Sequence, residues 1–235
     1  MAGGKSSIVF DSGPIISLSL NNMLWTLKPL RERFKGKFLI SKGVQNEIVN
    51  RPMGSRKYKF EALQVSEVIR EGILEVVDNE RLQGVTLDLL NKANSLFSCK
   101  GENIQIVHHG EMSSLALALE IDASAFVVDE RTTRLLIENP YMLMKILSNR
   151  LHAKIEVNKT AFDDLRSRLG KLRVIRSVEM GTVAFKPGLL DRYLPDKLFQ
   201  SNPKLVLLDS VLWSLKLNGC SISEDEIEDI KKIVI

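Results

Sequence analysis

The run Ile8-Val9-Phe10 ends directly on Asp11-Ser12, and the run Ala125-Phe126-Val127-Val128 ends directly on Asp129-Glu130-Arg131. Each is a short apolar segment with no polar interruption, followed by a polar residue and then by sequence of helical pattern. A strand buried on both faces of a parallel sheet reads this way, because neither face can tolerate an alternating polar residue. Phe38-Leu39-Ile40 repeats the rhythm, and Ile73 to Val77 and Lys154 to Val157 are two further candidate strands. Between them, the spacing of apolar residues predicts helices over 15–20, 24–33, 44–50, 60–71, 85–97, 111–121 and 132–138. Strand alternating with helix predicts the α/β class: a central parallel sheet, right-handed crossovers, and helices on both faces.

Beyond residue 158 the pattern predicts helices only, over about 160–187, 203–218 and 223–233. The last opens on Ser223 with Glu226 three residues later, a capping box in which each side chain satisfies a free backbone donor of the first turn. The expected organisation is therefore an α/β domain over 1–158 and an all-helical extension over 159–235. The extension would pack on the core or pair with a second copy of the chain.

Composition narrows the class. The chain has 235 residues, 44 % of them apolar and 26 % charged, with 14 Gly and 7 Pro, so a packed core is within reach and collagen-like or low-complexity classes are excluded. No apolar stretch approaches the roughly 18 residues of a membrane span, and Met1 to Ser7 has no leader-peptide pattern, so the expectation is a cytoplasmic protein without membrane association. Cys99 and Cys220 stand far apart without metal-ligand spacing and read as buried thiols. The net charge of +4 is unevenly spread: residues 28–59 carry ten Lys or Arg against two acids, and residues 131–176 carry eleven against four. Either segment could meet a polyanion, or be ordinary solvated surface.

The acids are the informative residues. Asp11 and Asp129 each follow a buried strand, at the sheet edge where open α/β folds bind ligands. On adjacent strands two such carboxylates would stand about 4 to 6 Å apart, repelling by a few kcal/mol at an effective dielectric near 20. A hard divalent cation such as Mg²⁺ or Mn²⁺ would offset that. Alternatively, each Asp caps the helix after it. Glu47 lies on the apolar stripe of Val44 and Ile48, where a salt bridge is the competing explanation. Glu111 shares a face with Leu115 at a helix start, where the helix dipole alone favours an acid by about 0.3 to 1 kcal/mol, and Gly110 fits the cap before it.

Ile8 to Ser12 resembles the opening strand of PIN-domain nucleases, Ser41 to Ile48 resembles their strand-to-helix segment bearing a Glu, and Gly110-Glu111 through Asp129-Glu130-Arg131 resembles the Gly-Glu…Asp-Glu-Arg variant of many prokaryotic members. The resemblance spans about residues 7–157 and implies a PIN-like three-layer α/β/α fold. It also implies a metal-dependent endoribonuclease in which Asp11, Glu47, Glu111 and Asp129 bind Mg²⁺ or Mn²⁺ and carry catalysis. Two departures stand out: the third acid is Glu where many members have Asp, and the chain is longer than the toxin branch of toxin–antitoxin pairs.

Within that reading Glu130 is a reserve ligand, and Ser12, Thr132 and Thr133 are candidates to hold the carboxylates or a substrate phosphate, or to cap helices, the latter favoured for Thr132. Arg51, Arg56, Lys57, Arg131, Arg134, Arg150 and Lys154 are candidates to hold an RNA backbone. Tyr58 and Phe60 are candidates to stack on bases, although Phe60 also suits a core position. His108 and His109 adjoin Gly110-Glu111, but neighbours in extended chain point oppositely and do not readily share one ion. The partners expected are RNA, a second copy of the chain in a homodimer, and an antitoxin protein.

Other readings compete. A catalytically weak RNA- or partner-binding module could keep the acidic pocket as a structural or regulatory metal site. A phosphotransfer or phosphatase domain with Asp11 as nucleophile lacks the Asp-x-Asp it would want after the first strand. Neither Gly3-Gly4-Lys5-Ser6 nor Asp11-Ser12-Gly13 meets the spacing of a nucleotide-binding loop.

Overall fold

The computed structural model describes residues 6–195 and 202–235; Met1 to Lys5 and the polar stretch near Gln200 lie outside the described residues, wholly or in part. In chain order the elements are β1 (Ser7–Phe10), α1 (Ser12–Leu20), α2 (Leu27–Phe34), β2 (Lys37–Ser41) and α3 (Lys42–Gln45). A π-helical turn over Asn46–Asn50 then leads into α4 (Arg51–Met53), α5 (Lys59–Arg70), β3 (Leu74–Val77), α6 (Glu80–Asn94), β4 (Phe97–Cys99) and β5 (Glu102–Asn103). There follow α7 (His109–Glu120), β6 (Ala125–Val127), α8 (Arg131–Glu138), α9 (Pro140–Leu151), β7 (Glu156–Val157), α10 (Lys159–Leu169), β8 (Val174–Ile175), α11 (Ser177–Phe185), α12 (Pro203–Leu217) and α13 (Glu224–Val234).

Five strands form one parallel sheet in the order β3-β2-β1-β6-β8. The chain builds outward from β1 through β2 to β3, then returns to the other side of β1 with β6. The order therefore reverses between β1 and β6, and the carboxyl ends of those two strands frame the natural binding crevice.

Period-two alternation puts successive residues of β1 on opposite faces. Ile8 and Phe10 pack in one core with Phe38, Ile40, Leu74 and Val127, whereas Val9 packs in the other with Leu39, Phe126 and Val128. Phe10 and Phe38 meet with ring centroids 5.1 Å apart. Helices α6, α7 and α10 supply Leu89, Leu115 and Leu165 to the second core, while α1, α11, α12 and α13 supply Leu18, Val178, Leu212 and Ile227 to the first. This is the expected three-layer arrangement.

Several expectations are corrected. The segment read as one helix over 160–187 is two helices separated by β8, so the sheet continues past residue 158 and the part after it is not wholly helical. Arg173, beside β8, accepts a hydrogen bond on its carbonyl from the Phe126 N–H, which a two-residue strand cannot advertise by periodicity. The candidate strand 154–157 forms, but as β7 in a separate antiparallel sheet with β4 and β5. Helix α9 lies outside the predicted helices; Asn139 caps it by accepting from the Met142 N–H, with Pro140 at its first position. Cys220 is a buried thiol as expected, whereas Cys99, on a strand of the small sheet, is only half-buried. The Ser223–Glu226 capping box forms as expected.

Candidate functional site

At the carboxyl end of the sheet lies a cavity of about 660 Å³, lined among others by Asp11, Ser12, Glu47, Arg51, His108, His109, Glu111 and Glu130. Asp11 enters it because β1 ends one residue earlier; its backbone N–H still donates to the Val127 carbonyl at 2.9 Å, fixing the Cα against β6. The side chain is 4 % exposed and accepts a hydrogen bond on Oδ1 from the Ser114 hydroxyl at 2.9 Å. Burial pushes its carboxyl up to about 7, opposed by the Ser114 hydroxyl and reinforced by the nearby charges of Glu111 and Glu47. Asp11 holds the cap position of α1 yet makes no side-chain cap bond, so helix capping does not account for it.

Glu47 reaches the cavity through the π-helical turn. The extra residue per turn rotates Glu47 off the apolar stripe, leaving Val44, Ile48 and Val49 buried while Glu47 stays half-buried. A Cβ at Gly110 would stand 3.2 Å from Glu47 Oε2, so the bare glycine leaves room for that carboxylate against the first turn of α7. Gly43 serves similarly on the other side, where a Cβ would fall 2.5 Å from Ser113 Oγ. The salt bridge offered as Glu47's alternative explanation is not formed among the described residues.

Glu111 sits at the third position of α7, and its Oε2 accepts from the His108 N–H at 2.9 Å. The cap residue is therefore His108, not Gly110. Burial raises the Glu111 carboxyl, countered by the His108 backbone bond and reinforced by Glu130 and Glu47. Three of the four expected ligands, Asp11, Glu47 and Glu111, thus line one cavity, and Glu130 lines it with them.

Asp129 does not line this cavity. It is 2 % exposed; Oδ1 accepts from the Ser177 N–H at 2.7 Å and Oδ2 from the Ser17 hydroxyl at 3.1 Å. Glu130 lines the cavity and caps α8, accepting from the Thr133 N–H on Oε2 at 2.7 Å. Thr132 is therefore not the cap of that helix, and neither Thr132 nor Thr133 lines the cavity. Among the described residues no three His, Cys, Asp or Glu side chains are gathered closely enough to hold an ion in this conformation.

The profile of the PIN domain matches residues 7–139, more than half of the chain. The chain belongs to the PIN-domain family. None of the curated proteins matches it. Among solved structures, it is similar to VapBC2 from Rickettsia felis, crystallised bound to a DNA fragment from the promoter, at 12 % identity over 72 % of this chain and 98 % of that one, with a TM-score of 0.43.

The basic residues of this PIN-domain chain divide. Arg51 lines the cavity; Arg56, Lys57, Arg131, Arg150 and Lys154 are exposed but outside its lining. Arg134 is partly buried and pairs with Glu138 at 3.6 Å. Phe60 is 68 % exposed, so the core alternative for it is set aside. It follows Tyr58, whose backbone takes the left-handed conformation at φ 61° and whose ring lies 4.6 Å from Lys57 Nζ.

Sequence reasoning missed Ser114 and Ser17, whose hydroxyls decide what Asp11 and Asp129 do. A signal existed: Ser113 and Ser114 are buried between Met112 and Leu115 on an otherwise apolar helix, and buried hydroxyls need partners. Both histidines line the cavity, because His108 ends extended chain and His109 begins the helix, so the opposite-directions argument stops applying between them.

Proposed function

We propose that this PIN-domain protein is a metal-dependent endoribonuclease. The observation that carries the reading is the convergence of Asp11, Glu47, Glu111 and Glu130 on one cavity at the point where strand order reverses. The donor set fits Mg²⁺ or Mn²⁺, since hard cations prefer carboxylate oxygens and the Asp11 and Glu111 carboxyls, raised by burial and by neighbouring carboxylates, would be relieved by one. A bound Mg²⁺ or Mn²⁺ would neutralise the scissile phosphate and activate a water.

The chain's own groups supply the rest. Asp11 and Glu111 would hold the ion directly or through water, with Ser114 fixing Asp11 and the His108 N–H fixing Glu111. Glu47, carried on the π-helical turn, would complete or orient the site. Arg51 at the rim would bind an RNA phosphate. The exposed Arg56, Lys57, Arg131, Arg150 and Lys154 would add affinity without sequence choice. Tyr58 and Phe60 offer rings for unpaired bases.

The test is cleavage of single-stranded and structured RNA by the purified protein in Mn²⁺, in Mg²⁺ and in chelator, beside Asp11→Asn. Cleavage that needs metal and disappears in the variant supports the reading; cleavage equal in both proteins refutes it. The alternative, a binding module with a structural or regulatory metal site, is favoured by the engagement of Glu111 and Glu130 with backbone donors of their own helices, which holds two of the four acids in structural bonds. Mn²⁺ binding without cleavage of any RNA would select it. A homodimer and an antitoxin partner are further proposals, tested by sedimentation and by co-purification with a co-expressed neighbouring gene product. No described helix is long and apolar enough to cross a membrane; a cytoplasmic location is part of the proposal.

A further inference from the structure

A second cavity lies at the other end of the sheet. Helix α8 leaves the acidic cavity at Glu130 and ends at Glu138, about 12 Å further along its axis. There the turn into α9 and the end of α10 enclose about 490 Å³, lined by Glu138, Asn139, Tyr141, Phe162, Arg166 and Leu172 among others. Helix α10 leads into β8, which lies beside β6, so this cavity sits at the amino-terminal edge of the strands, away from Asp11.

Its lining joins a fixed ring to free positive charge. Tyr141 packs on the buried Phe162 with ring centroids 4.8 Å apart and is still 57 % exposed, so the core holds one side of the ring while the rest meets solvent. A ring held in this way is a platform on which an unpaired base can stack. Arg166 to Arg173 carries four cations and no acid. Arg168 is engaged with Asp88 and Asp164, whereas Arg166, Lys171 and Arg173 are exposed and pair with no acid among the described residues. Glu138, the acid of the lining, is already paired with Arg134, and the exposed Asp163 one turn before Arg166 leaves the cluster positive. Exposed Arg131, in the first turn of α8, stands between the two cavities. Tyr141, Phe162, Arg166, Lys171 and Arg173 all lie beyond residue 139, where the PIN-domain match ends.

We propose that this cavity is a second RNA-binding site, which takes an unpaired segment of the strand with a base stacked on Tyr141 and phosphates on Arg166, Lys171 and Arg173. Cations fix the backbone and the ring holds the base, a combination that suits a single strand and asks for little sequence. The proposal rests on the ribonuclease reading above for the identity of the strand.

The experiment is fluorescence anisotropy of a labelled single-stranded RNA of about 16 nucleotides, in chelator so that no metal-dependent cleavage intervenes. It compares the full chain with Tyr141→Ala, Tyr141→Phe and the double variant Arg166→Ala, Lys171→Ala. Tyr141→Ala is expected to weaken single-stranded RNA at least about fivefold and to leave a blunt duplex unchanged, because paired bases offer no free face. The unchanged duplex also shows that the variant is folded. Tyr141→Phe keeps the ring and should bind within about twofold of the parent. The double variant should lower the slope of log affinity against log salt by about 1.4, at about 0.7 per phosphate contact on a single strand. Parent-like affinity in Tyr141→Ala, an equal loss in Tyr141→Phe, an equal loss on duplex, an unchanged salt slope, or equal displacement of the RNA by poly-glutamate overturns the proposal. The two readings fail separately. A parent that cleaves no RNA in Mn²⁺ yet loses binding through Tyr141→Ala keeps this site and removes the ribonuclease reading, whereas metal-dependent cleavage with RNA binding indifferent to Tyr141 does the reverse.

Discussion

Asp11 and Asp129 occupy matching places in the sequence and opposite roles in the structure. Each follows an apolar run directly, the strands are neighbours, and both side chains are almost wholly buried. Asp11 receives the Ser114 hydroxyl and faces a cavity shared with three other acids. Asp129 receives a backbone N–H and a hydroxyl from elements lying on both sides of it in the chain. The difference teaches that a buried carboxylate is assigned by its donors. One whose oxygens are both taken up by donors from distant elements is a strut, and one that stands at the edge of a cavity among other acids can take a cation.

The largest effect is expected from neutralising Asp11. Asp11→Asn is expected to reduce metal-dependent RNA cleavage at least about 100-fold, while Ser114→Ala, which removes only its hydrogen-bond donor, should cost about 10-fold. Single-turnover rates on one RNA measure both, and equal losses would mean that Asp11 is competent only when the Ser114 hydroxyl holds it.

Asp129 should respond in stability. Asp129→Ala leaves the buried Ser177 N–H without its acceptor and is expected to cost about 2 to 4 kcal/mol. In a protein of this size that lowers the melting temperature by roughly 5 to 10 °C. A shift under about 2 °C would show that the C-terminal elements dock without it.

A third contrast is pH dependence. With its folded pKa raised to about 7, Asp11 still holds a proton in the folded chain after the unfolded chain has released it. Stability of the metal-free protein therefore falls as pH rises from about 4 towards 7, by up to about 1.4 kcal/mol per pH unit from this group. Glu111, also raised, acts in the same direction, whereas the lowered Glu75, Asp88, Asp164 and Glu226 lose their contribution only at lower pH. Melting in chelator between pH 5 and 8 should show this decline, and Asp11→Asn should flatten it.

The smallest effects are expected outside both carboxylates. Tyr58→Ala or Phe60→Ala should weaken single-stranded RNA by about 1 to 3 kcal/mol if the ring stacks on a base, and leave duplex binding unchanged. Arg56→Ala should lower the slope of log affinity against log salt by about 1 and leave sequence preference alone.

Much of this architecture was legible. Ile8 to Phe10, Phe38 to Ile40 and Ala125 to Val128 are buried on both faces, so burial alone writes them into the sequence as unbroken apolar runs. Asp11, Glu47 and Glu111 stood out because acids are costly on faces that should be buried. What escaped was set by contacts distant in sequence. The strand Val174–Ile175 is too short to show a period and exists because β6 offers it an edge. The partners of Asp129 lie 112 and 48 residues away, at Ser17 and Ser177, so no local pattern separates it from Asp11. The π-helical turn that carries Glu47 inward is a departure from the helical period, which a periodicity reading cannot see.

Whether the carboxylates at this sheet edge form a seat for a divalent cation is decided by anomalous diffraction from Mn²⁺-soaked crystals. A Mn²⁺ peak is expected within the cavity, in contact with Asp11 and Glu111 directly or through water. A cavity without a peak under saturating Mn²⁺, or a peak only at residues away from Asp11, would contradict it.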